Sequence, residues 1–302
     1  MTHIYDTGTY VTDGGLETDL IFNRRIDLPA FASFPLLGTA DGRSVLADYY
    51  DGYAGVARRA GTGLVLETPT WRANPDWATG LGYDASALDA VNRAAVDLLH
   101  RVRDSHADLH DAGVVVSGNV GPRGDGYVAE AAGTADDYAE YHGAQVAAFK
   151  AAGADVTTAM TMTHVDEALG VVTAARAVGL PVVVMFTVET DGRLPDGTPL
   201  AEAVAMVDEA GAPDWFGVNC AHPEHVDPGL TDGAWLDRLV AIRPNASRLS
   251  HAELDEAEEL DEGDPAELRA DVDALRDRLP SLRLVGGCCG TDVRHVASLW
   301  GV

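Results

Sequence analysis

Residues 145–160, QVAAFKAAGADVTTAM, join the end of an amphipathic segment to a glycine and a short run rich in β-branched residues. Gly153 is typical of a helix end, because glycine adopts the left-handed conformation that follows the last helical turn at little cost. The run Asp155–Met160 is then expected to be a strand. A helix that ends in glycine and leads directly into a strand is the repeating unit of an α/β protein.

The same unit recurs along the whole chain. Eight segments are strand candidates: Tyr10–Gly15, Leu64–Thr70, Val114–Val120, Asp155–Met160, Pro181–Val188, Trp215–Cys220, Ala241–Asn245 and Leu282–Gly287. Six segments have helical spacing of apolar residues: Ser44–Ala60, Ala85–His106, Ala135–Ala152, Val165–Val178, Leu200–Ala210 and Pro265–Leu279. Thr134 and Asp264 are expected N-caps, and helices are expected to end at Gly61, Gly113, Gly153 and Gly179.

Eight strands that alternate with helices predict one (β/α)8 TIM barrel over residues 1–302. Strands such as Val182-Val183-Val184 are apolar on both faces, which is typical of a parallel sheet covered by helices. An open doubly wound sheet is the alternative, and the absence of a glycine-rich first βα turn favours the barrel. Residues 247–262, which follow strand seven, are very acidic and predict a solvated helix or lid inserted in the barrel, with a divalent-cation patch as the alternative.

The charge balance excludes several kinds of partner. The chain has 21 basic and 48 acidic residues, a net charge of −27, which argues against nucleic acids and anionic membranes. Lys150 is the one lysine, and this composition predicts a protein adapted to strong salt, with a GC-rich genome as the alternative reason for the arginine bias. Residues 1–10 lack a signal-peptide pattern, and no run of 18 apolar residues exists, so we expect a cytoplasmic protein.

All three cysteines follow predicted strands, where a barrel places its active site. Cys220 ends strand six, and Cys288 and Cys289 end strand eight, two positions further around the ring. Neighbouring cysteines rarely bond each other, so we expect three reduced thiols. Three thiolates at one point would bind Zn²⁺ and leave its fourth position open. Flanking glycines would let both adjacent cysteines turn towards the ion; the alternative is that the cysteines are buried small apolar residues.

These motifs resemble those of the homocysteine S-methyltransferase family, almost end to end. The resemblance rests on Asp13-Gly14-Gly15, GVNC at 217–220 and GGCCGT at 286–291, with smaller similarities at Gly121-Pro122 and Pro244-Asn245. It implies that Cys220, Cys288 and Cys289 bind Zn²⁺, which takes the homocysteine thiol as fourth ligand. A methyl group would then move from a sulfonium or ammonium donor, with S-methylmethionine and S-adenosylmethionine as the leading candidates, to give methionine.

The resemblance also suggests substrate-binding residues. Asp13 is expected near the homocysteine or, alternatively, as a cap of the following glycine turn, and Asn219 is expected to orient the site or to face the barrel wall. The family usually has Glu-Thr at the end of strand four, where this chain has Met160-Thr161. We predict that Glu67, at the end of strand two, supplies the missing carboxylate for the ammonium group. If nothing replaces the family's glutamate, the expected acceptor is another thiol or selenol without that ammonium group. A separate alternative is a barrel that binds zinc or a metabolite without catalysis.

Four further side chains have open roles. Trp71 and Tyr83 would either form an aromatic wall for a cationic donor or pack in the core. Arg123 would either contact a substrate carboxylate or lie on the surface. His222, two residues after Cys220, is a possible further metal ligand, although three cysteines already suffice.

Overall fold

The computed structural model describes residues 5, 8–109, 113–129, 133–257 and 259–302. Within these residues, eight parallel strands close into a barrel in which each strand pairs with the next and β8 pairs with β1. The strands are β1 (Tyr10–Val11), β2 (Gly63–Glu67), β3 (Val114–Val120), β4 (Val156–Met162), β5 (Val182–Phe186), β6 (Trp215–Asn219), β7 (Leu239–Arg243) and β8 (Leu284–Val285). The predicted (β/α)8 barrel is confirmed.

Helices cover the outside of this barrel. The longer α-helices are Ala40–Ala60, Ala85–Ser105, Ala135–Ala152, Val165–Val178, Leu200–Ala210, Pro265–Arg276 and Val293–Trp300. Shorter α-helical segments are Leu16–Thr18, Pro75–Gly80, Pro223–Val226 and His251–Asp255. Turns of 3₁₀ or π helix occur at Asp19–Asn23, Pro29–Phe31, Phe34–Gly38, Ala107–Leu109, Asp227–Gly229 and Ala234–Arg238. No helix among the described residues is both long and apolar enough to span a membrane.

Most predicted helix ends are confirmed. The Thr134 side chain accepts a hydrogen bond from the Asp137 amide, and Asp264 accepts bonds from the Ala266 and Glu267 amides. Gly61, Gly153 and Gly179 end their helices in the left-handed conformation. The expectation for Gly113 is wrong, because its helix ends at Ser105 and the turn Ala107–Leu109 intervenes.

The strands β1 and β8 are much shorter than predicted. The expected segments were Tyr10–Gly15 and Leu282–Gly287, but only two residues of each belong to the sheet. The residues that follow leave the sheet and bond each other instead: the Gly287 amide donates to the Asp13 carbonyl at 2.9 Å, and the Gly15 amide to the Thr291 carbonyl at 3.0 Å. The two turns that carry the predicted site motifs are therefore joined directly.

The acidic stretch forms only one short helix. His251–Asp255 begins with a capping box between Ser250 and Glu253, and the rest of the described stretch is irregular, with residue 258 outside the described residues. The Asp261 carboxylate accepts a hydrogen bond from the Ser247 hydroxyl at 2.6 Å, which ties the end of the stretch to its beginning. The stretch therefore folds back beside the end of β7.

Candidate metal centre and substrate cavity

The three cysteines meet at the carboxyl end of the barrel. Cys220 directly follows β6, and Cys288 and Cys289 lie in the turn after β8. Their sulfur atoms all lie within 4.8 Å of one another. The predicted convergence is confirmed, and its cause is the ring order, in which only β7 separates β6 from β8.

Two of these sulfurs are joined. Cys220 and Cys288 form a disulfide, with their Cα atoms 5.3 Å apart, and Cys289 is free. The expectation of three reduced thiols is therefore wrong for this structure. The two cysteines are 68 residues apart in the sequence, but the distance between their Cα atoms lies in the ordinary range for a disulfide. A metal centre requires this disulfide to be reduced, because thiolates are the metal ligands.

The cysteine turn after β8 is held from both sides. The Cys288 amide donates to the Pro244 carbonyl at 2.7 Å, and the Cys289 carbonyl accepts from the Ala246 amide at 3.0 Å. A Cβ on Gly15 would lie 2.4 Å from the Cys288 carbonyl oxygen, so this close approach requires glycine. Gly286, Gly287 and Gly290 are the glycines that flank the adjacent cysteines and were expected to turn the chain. Of these three, only Gly290 has a positive φ, of 78°.

The backbone of Cys220 is fixed by side chains that sequence analysis missed. This residue has a φ of 56°, an uncommon value for a residue other than glycine. Its carbonyl accepts hydrogen bonds from His251 Nε2 at 2.7 Å and Asn245 Nδ2 at 3.0 Å. The other ring nitrogen of His251 lies 2.9 Å from Glu189 Oε1. This chain of contacts runs from a loop after β5 to the cysteine and orients it.

Tyr127 contacts the remaining sulfur and was also missed. Its hydroxyl donates to Cys289 Sγ at 3.5 Å, and its ring stacks on His251 with 4.1 Å between ring centres. Burial raises the pKa of the Cys289 thiol, and the Tyr127 hydrogen bond opposes this shift. The signal available in the sequence was its place in the loop after β3, a position at the barrel mouth.

A cavity of about 400 Å³ lies over the cysteines. This volume suits a small-molecule substrate. Most of the ionisable side chains in its lining are acidic: Asp13, Glu17, Glu67, Asp125, Asp255, Glu259 and Asp261, against Arg72 and Arg243. The cavity therefore favours ligands that carry a positive charge.

Asp13 forms a buried ion pair with Arg243. The same guanidinium donates from Nε to the Gly287 carbonyl at 3.1 Å and from Nη2 to the Gly14 carbonyl at 3.3 Å. Burial lowers the pKa of Arg243, but the negative charges of Asp13 and Glu67 more than offset this and hold the pKa above its usual value. Asp13 thus lines the cavity but is held by Arg243. The sequence feature that marks Arg243 is a charge at the end of an otherwise apolar strand.

Glu67 lies at the end of β2 and lines the same cavity. Its Oε1 accepts a hydrogen bond from the Thr158 hydroxyl at 3.0 Å, whereas Oε2 is buried and has no hydrogen-bond partner among the described residues. Burial raises the pKa of Glu67 to about 7, although the nearby Arg243 charge opposes the shift. An unpartnered carboxylate oxygen in a substrate cavity is able to accept a hydrogen bond from a ligand.

Thr161 and Asn219 form one unit beneath the cavity. The Asn219 amide accepts from the Thr161 backbone N–H at 2.8 Å and donates to the Thr161 hydroxyl at 2.8 Å, and it lies 3.9 Å from Cys288 Sγ. Thr161, with a φ of 63°, lines the cavity together with Met160. Asn219 is fully buried behind them, so it orients Thr161 and the sulfur.

Of the four side chains whose roles were left open, Trp71 lines the cavity and Tyr83, Arg123 and His222 do not. Trp71 lines the cavity, whereas Tyr83 packs against Phe34 with 5.0 Å between ring centres and does not line it. Arg123 pairs with Asp76 at 2.8 Å near the surface. His222 caps the helix Pro223–Val226 and is absent from the described cysteine cluster.

Fold and site together define a (β/α)8-barrel protein with a cysteine cluster at the carboxyl ends of its strands. The family model described as homocysteine S-methyltransferase matches residues 10–300. The chain belongs to this family.

Individual relatives agree with this assignment. The homocysteine S-methyltransferase of Escherichia coli K12 is 28% identical over 275 residues, which cover 85% of this chain and 82% of that protein. The homocysteine methyltransferase MmuM of Escherichia coli has the same fold at 23% identity. Its oxidised form has a TM-score of 0.78 over 97% of this chain and 95% of its own, and its metallated form a TM-score of 0.74 over 98% and 96%.

Proposed function

We propose that this chain is a zinc-dependent S-methyltransferase that moves a methyl group from a small cationic donor to the thiol of homocysteine, giving methionine. The observation that carries this proposal is the convergence of three cysteine sulfurs, within 4.8 Å of one another, at a cavity of substrate size. Family membership supports the acceptor. The three thiols would need a reducing compartment, in keeping with a cytoplasmic location.

The donor atoms fit a zinc ion. Sulfurs at tetrahedral positions about 2.3 Å from zinc are about 3.8 Å apart, so the cysteines need little rearrangement once the disulfide is reduced. Cys220, Cys288 and Cys289 would hold the ion. When bound, zinc lowers the pKa of a thiol ligand, so that a thiolate is available at neutral pH.

The protein's own residues would position the reactants. His251 and Asn245 fix the Cys220 backbone, and Tyr127 donates a hydrogen bond to Cys289. In the transfer, the acceptor sulfur forms a bond to the methyl carbon while the bond from that carbon to the donor cation breaks. The electron pair of the broken bond stays on the donor, which leaves as a neutral molecule.

Glu67 would bind the ammonium group of homocysteine through Oε2. This role compensates for Met160, which lines the cavity where the family usually has glutamate. Asp13 and Thr161 also line the cavity and are the remaining candidates for substrate contact, with Asn219 as the residue that orients Thr161.

The acidic lining supports a cationic donor, of the S-methylmethionine or S-adenosylmethionine type. Trp71 would face the positive sulfur by a cation–π contact. Residues 247–257 and 259–262 contribute Asp255, Glu259 and Asp261 to the cavity lining, and we propose that they act as a lid over the cavity. We also propose that the chain forms a single barrel domain.

The test of the metal centre combines metal content with turnover. Protein purified with a reductant and zinc should hold about one zinc ion per chain and form methionine from homocysteine with at least one donor of a panel. Replacing any one cysteine by serine should remove both properties. His222→Asn is the matched control, since asparagine also caps a helix, and this variant should keep its zinc. Stoichiometric zinc in the serine variants would refute the assigned ligands.

The test of Glu67 uses an acceptor without the ammonium group. Glu67→Gln should raise the KM for homocysteine at least tenfold but leave the KM for 4-mercaptobutyrate, which lacks the amino group, nearly unchanged. An unchanged homocysteine KM would exclude the role.

A second candidate acceptor is a thiol without an ammonium group. The observation that favours it is Met160, which lines the cavity and cannot bind an ammonium group. If 4-mercaptobutyrate or another thiol is preferred over homocysteine in the wild type, the acceptor is that thiol. Bound zinc without turnover on any donor would indicate a non-catalytic barrel.

A further inference from the structure

Arg72 lines the cavity and contacts two tryptophan rings, while two of its buried nitrogens have no hydrogen-bond partner among the described residues. It follows β2 in the loop that carries Trp71, and it lines the same cavity as the three cysteines. Its guanidinium carbon lies 3.6 Å from the ring centre of Trp77 and 4.9 Å from that of Trp71. The aromatic rings hold the guanidinium group in place without using its N–H groups.

Two nitrogens of this guanidinium, Nε and Nη1, are buried and have no hydrogen-bond partner within the described part of the chain. Burial lowers the pKa of Arg72, and the charges of Asp125 and Glu17 oppose this shift. Neither carboxylate hydrogen-bonds Arg72: Glu17 Oε1 accepts from the Ser33 hydroxyl at 2.7 Å, and Asp125 Oδ1 from the Tyr127 amide at 2.7 Å. Arg72 is half-buried, and burying the N–H donors of a cation without acceptors is costly. An anionic ligand group that accepts from Nε and Nη1 would offset this cost.

We propose that Arg72 binds the carboxylate of an amino-acid substrate, an inference that rests on the proposed function and identifies the substrate class. The surrounding acidic residues disfavour a multiply charged anion such as a phosphate. A zwitterion fits better, because its positive group offsets the acidic lining while its single carboxylate meets the N–H groups of Arg72. Both homocysteine and a methylsulfonium amino acid carry such a carboxylate.

The first experiment measures binding without turnover. In calorimetric titrations of reduced, zinc-loaded protein, the wild type should bind methionine at least tenfold more tightly than 3-(methylthio)propylamine, which lacks the carboxylate. Arg72→Gln should abolish this preference, and Arg72→Lys should restore part of it. Equal loss of affinity for both probes in Arg72→Gln would indicate a structural role and overturn the proposal.

The second experiment distinguishes the two sources of the carboxylate. If it belongs to the acceptor, Arg72→Gln should raise the KM for homocysteine but not for 3-aminopropanethiol. If it belongs to the donor, the variant should raise the KM for S-methylmethionine but not for (3-aminopropyl)dimethylsulfonium. An unchanged KM for both carboxylate-bearing substrates overturns the proposal.

Arg123→Gln is the matched control. Arg123 also lies over an aromatic ring, 4.6 Å from the centre of Tyr141, but it pairs with Asp76 and does not line the cavity. All binding constants should stay at wild-type values in this variant. If no methyl transfer to homocysteine is found and methionine binding still depends on Arg72, the proposed function fails and the carboxylate site stands. If transfer occurs and methionine binding ignores Arg72, only the carboxylate site fails.

Discussion

At the scale of single residues, the cavity is lined by ionisable side chains that have buried polar atoms. Glu67 has an unpartnered buried oxygen, and Arg72 has two unpartnered buried nitrogens among the described residues. Such groups lower the stability of the folded state, because desolvation is not offset by hydrogen bonds. In the roles that we propose for Glu67 and Arg72, substrate would supply the missing hydrogen-bond partners and offset this cost.

The first prediction concerns Glu67 and pH. Its folded-state pKa of about 7 lies above its value of about 4.3 in an unfolded chain, so ionisation opposes folding. Relative to Glu67→Gln, the wild type should lose stability as pH rises from about 4.5 to 7, by up to about 3 kcal/mol. Urea unfolding of both proteins at several pH values, without substrate, checks this. A difference that stays constant between pH 5 and 8 would contradict it.

The second prediction concerns Asn219. Asn219→Ala removes the partner of the buried Thr161 N–H, which should destabilise the fold by about 2 kcal/mol or more. The control is Asn23→Ala, since the Asn23 amide makes its hydrogen bond to Asp19 at the surface and its loss should change stability by less than about 0.5 kcal/mol. Urea unfolding measures both, and similar losses in the two variants would disprove the stated role of Asn219.

At the scale of elements, the early ends of β1 and β8 place the turns of the site at the carboxyl end of the barrel. β1 and β8 each contribute two residues to the sheet, and the chain beyond them folds into the turns that carry Asp13 and the adjacent cysteines. The helices around the barrel also pack closely against one another. The helices Ala135–Ala152 and Val165–Val178 approach so closely that Gly170 lies directly against Tyr138.

The third prediction uses two helical glycines. A Cβ on Gly170 would lie 2.8 Å from the backbone carbon of Tyr138, so Gly170→Ala should destabilise the protein by about 1–3 kcal/mol. A Cβ on Gly143, in the neighbouring helix, would meet nothing within 4 Å. Gly143→Ala should therefore stabilise the protein by about 0.5–1 kcal/mol, because alanine favours helix. Thermal and urea unfolding measure whether each substitution lowers or raises the stability. A neutral or stabilising Gly170→Ala would contradict the close packing inferred for the two helices.

At the scale of the whole molecule, the net charge of −27 causes self-repulsion that salt reduces. The Debye length falls from about 10 Å at 0.1 M salt to about 3 Å at 1 M.

The fourth prediction follows from this charge. Raising NaCl from 0.1 to 1 M should increase the Tm by roughly 5–10 °C, as expected for a gain of a few kcal/mol. The control variant neutralises four exposed acidic residues, Glu202, Glu209, Asp232 and Glu256, as amides. It should show roughly a quarter less of this gain, because repulsion scales with the square of the charge. Equal stability at both salt concentrations would contradict adaptation to salt.

The sequence by itself determined the barrel and the place of the cysteines, because strand and helix periodicity are local and every parallel strand ends at the same face. The prediction for Glu67 came from the resemblance to the family, because Met160 stands where the family usually has glutamate, and the role of Glu67 stays a prediction. The roles of Arg72 and Arg243 could not be assigned from the sequence. Arg243 is paired with Asp13, whereas two buried nitrogens of Arg72 have no hydrogen-bond partner in the described part of the chain. Which of these applies to a charged side chain depends on residues distant in the chain.

The tertiary structure alone decided the contacts that shape the site. Cys220 lies against Cys288, and His251 and Tyr127 reach the cysteines from loops after other strands. These contacts join segments that are separated by 31 to 162 residues. Strand register and the paths of the loops beyond the strands bring them together, and neither property is encoded in a local pattern of residues.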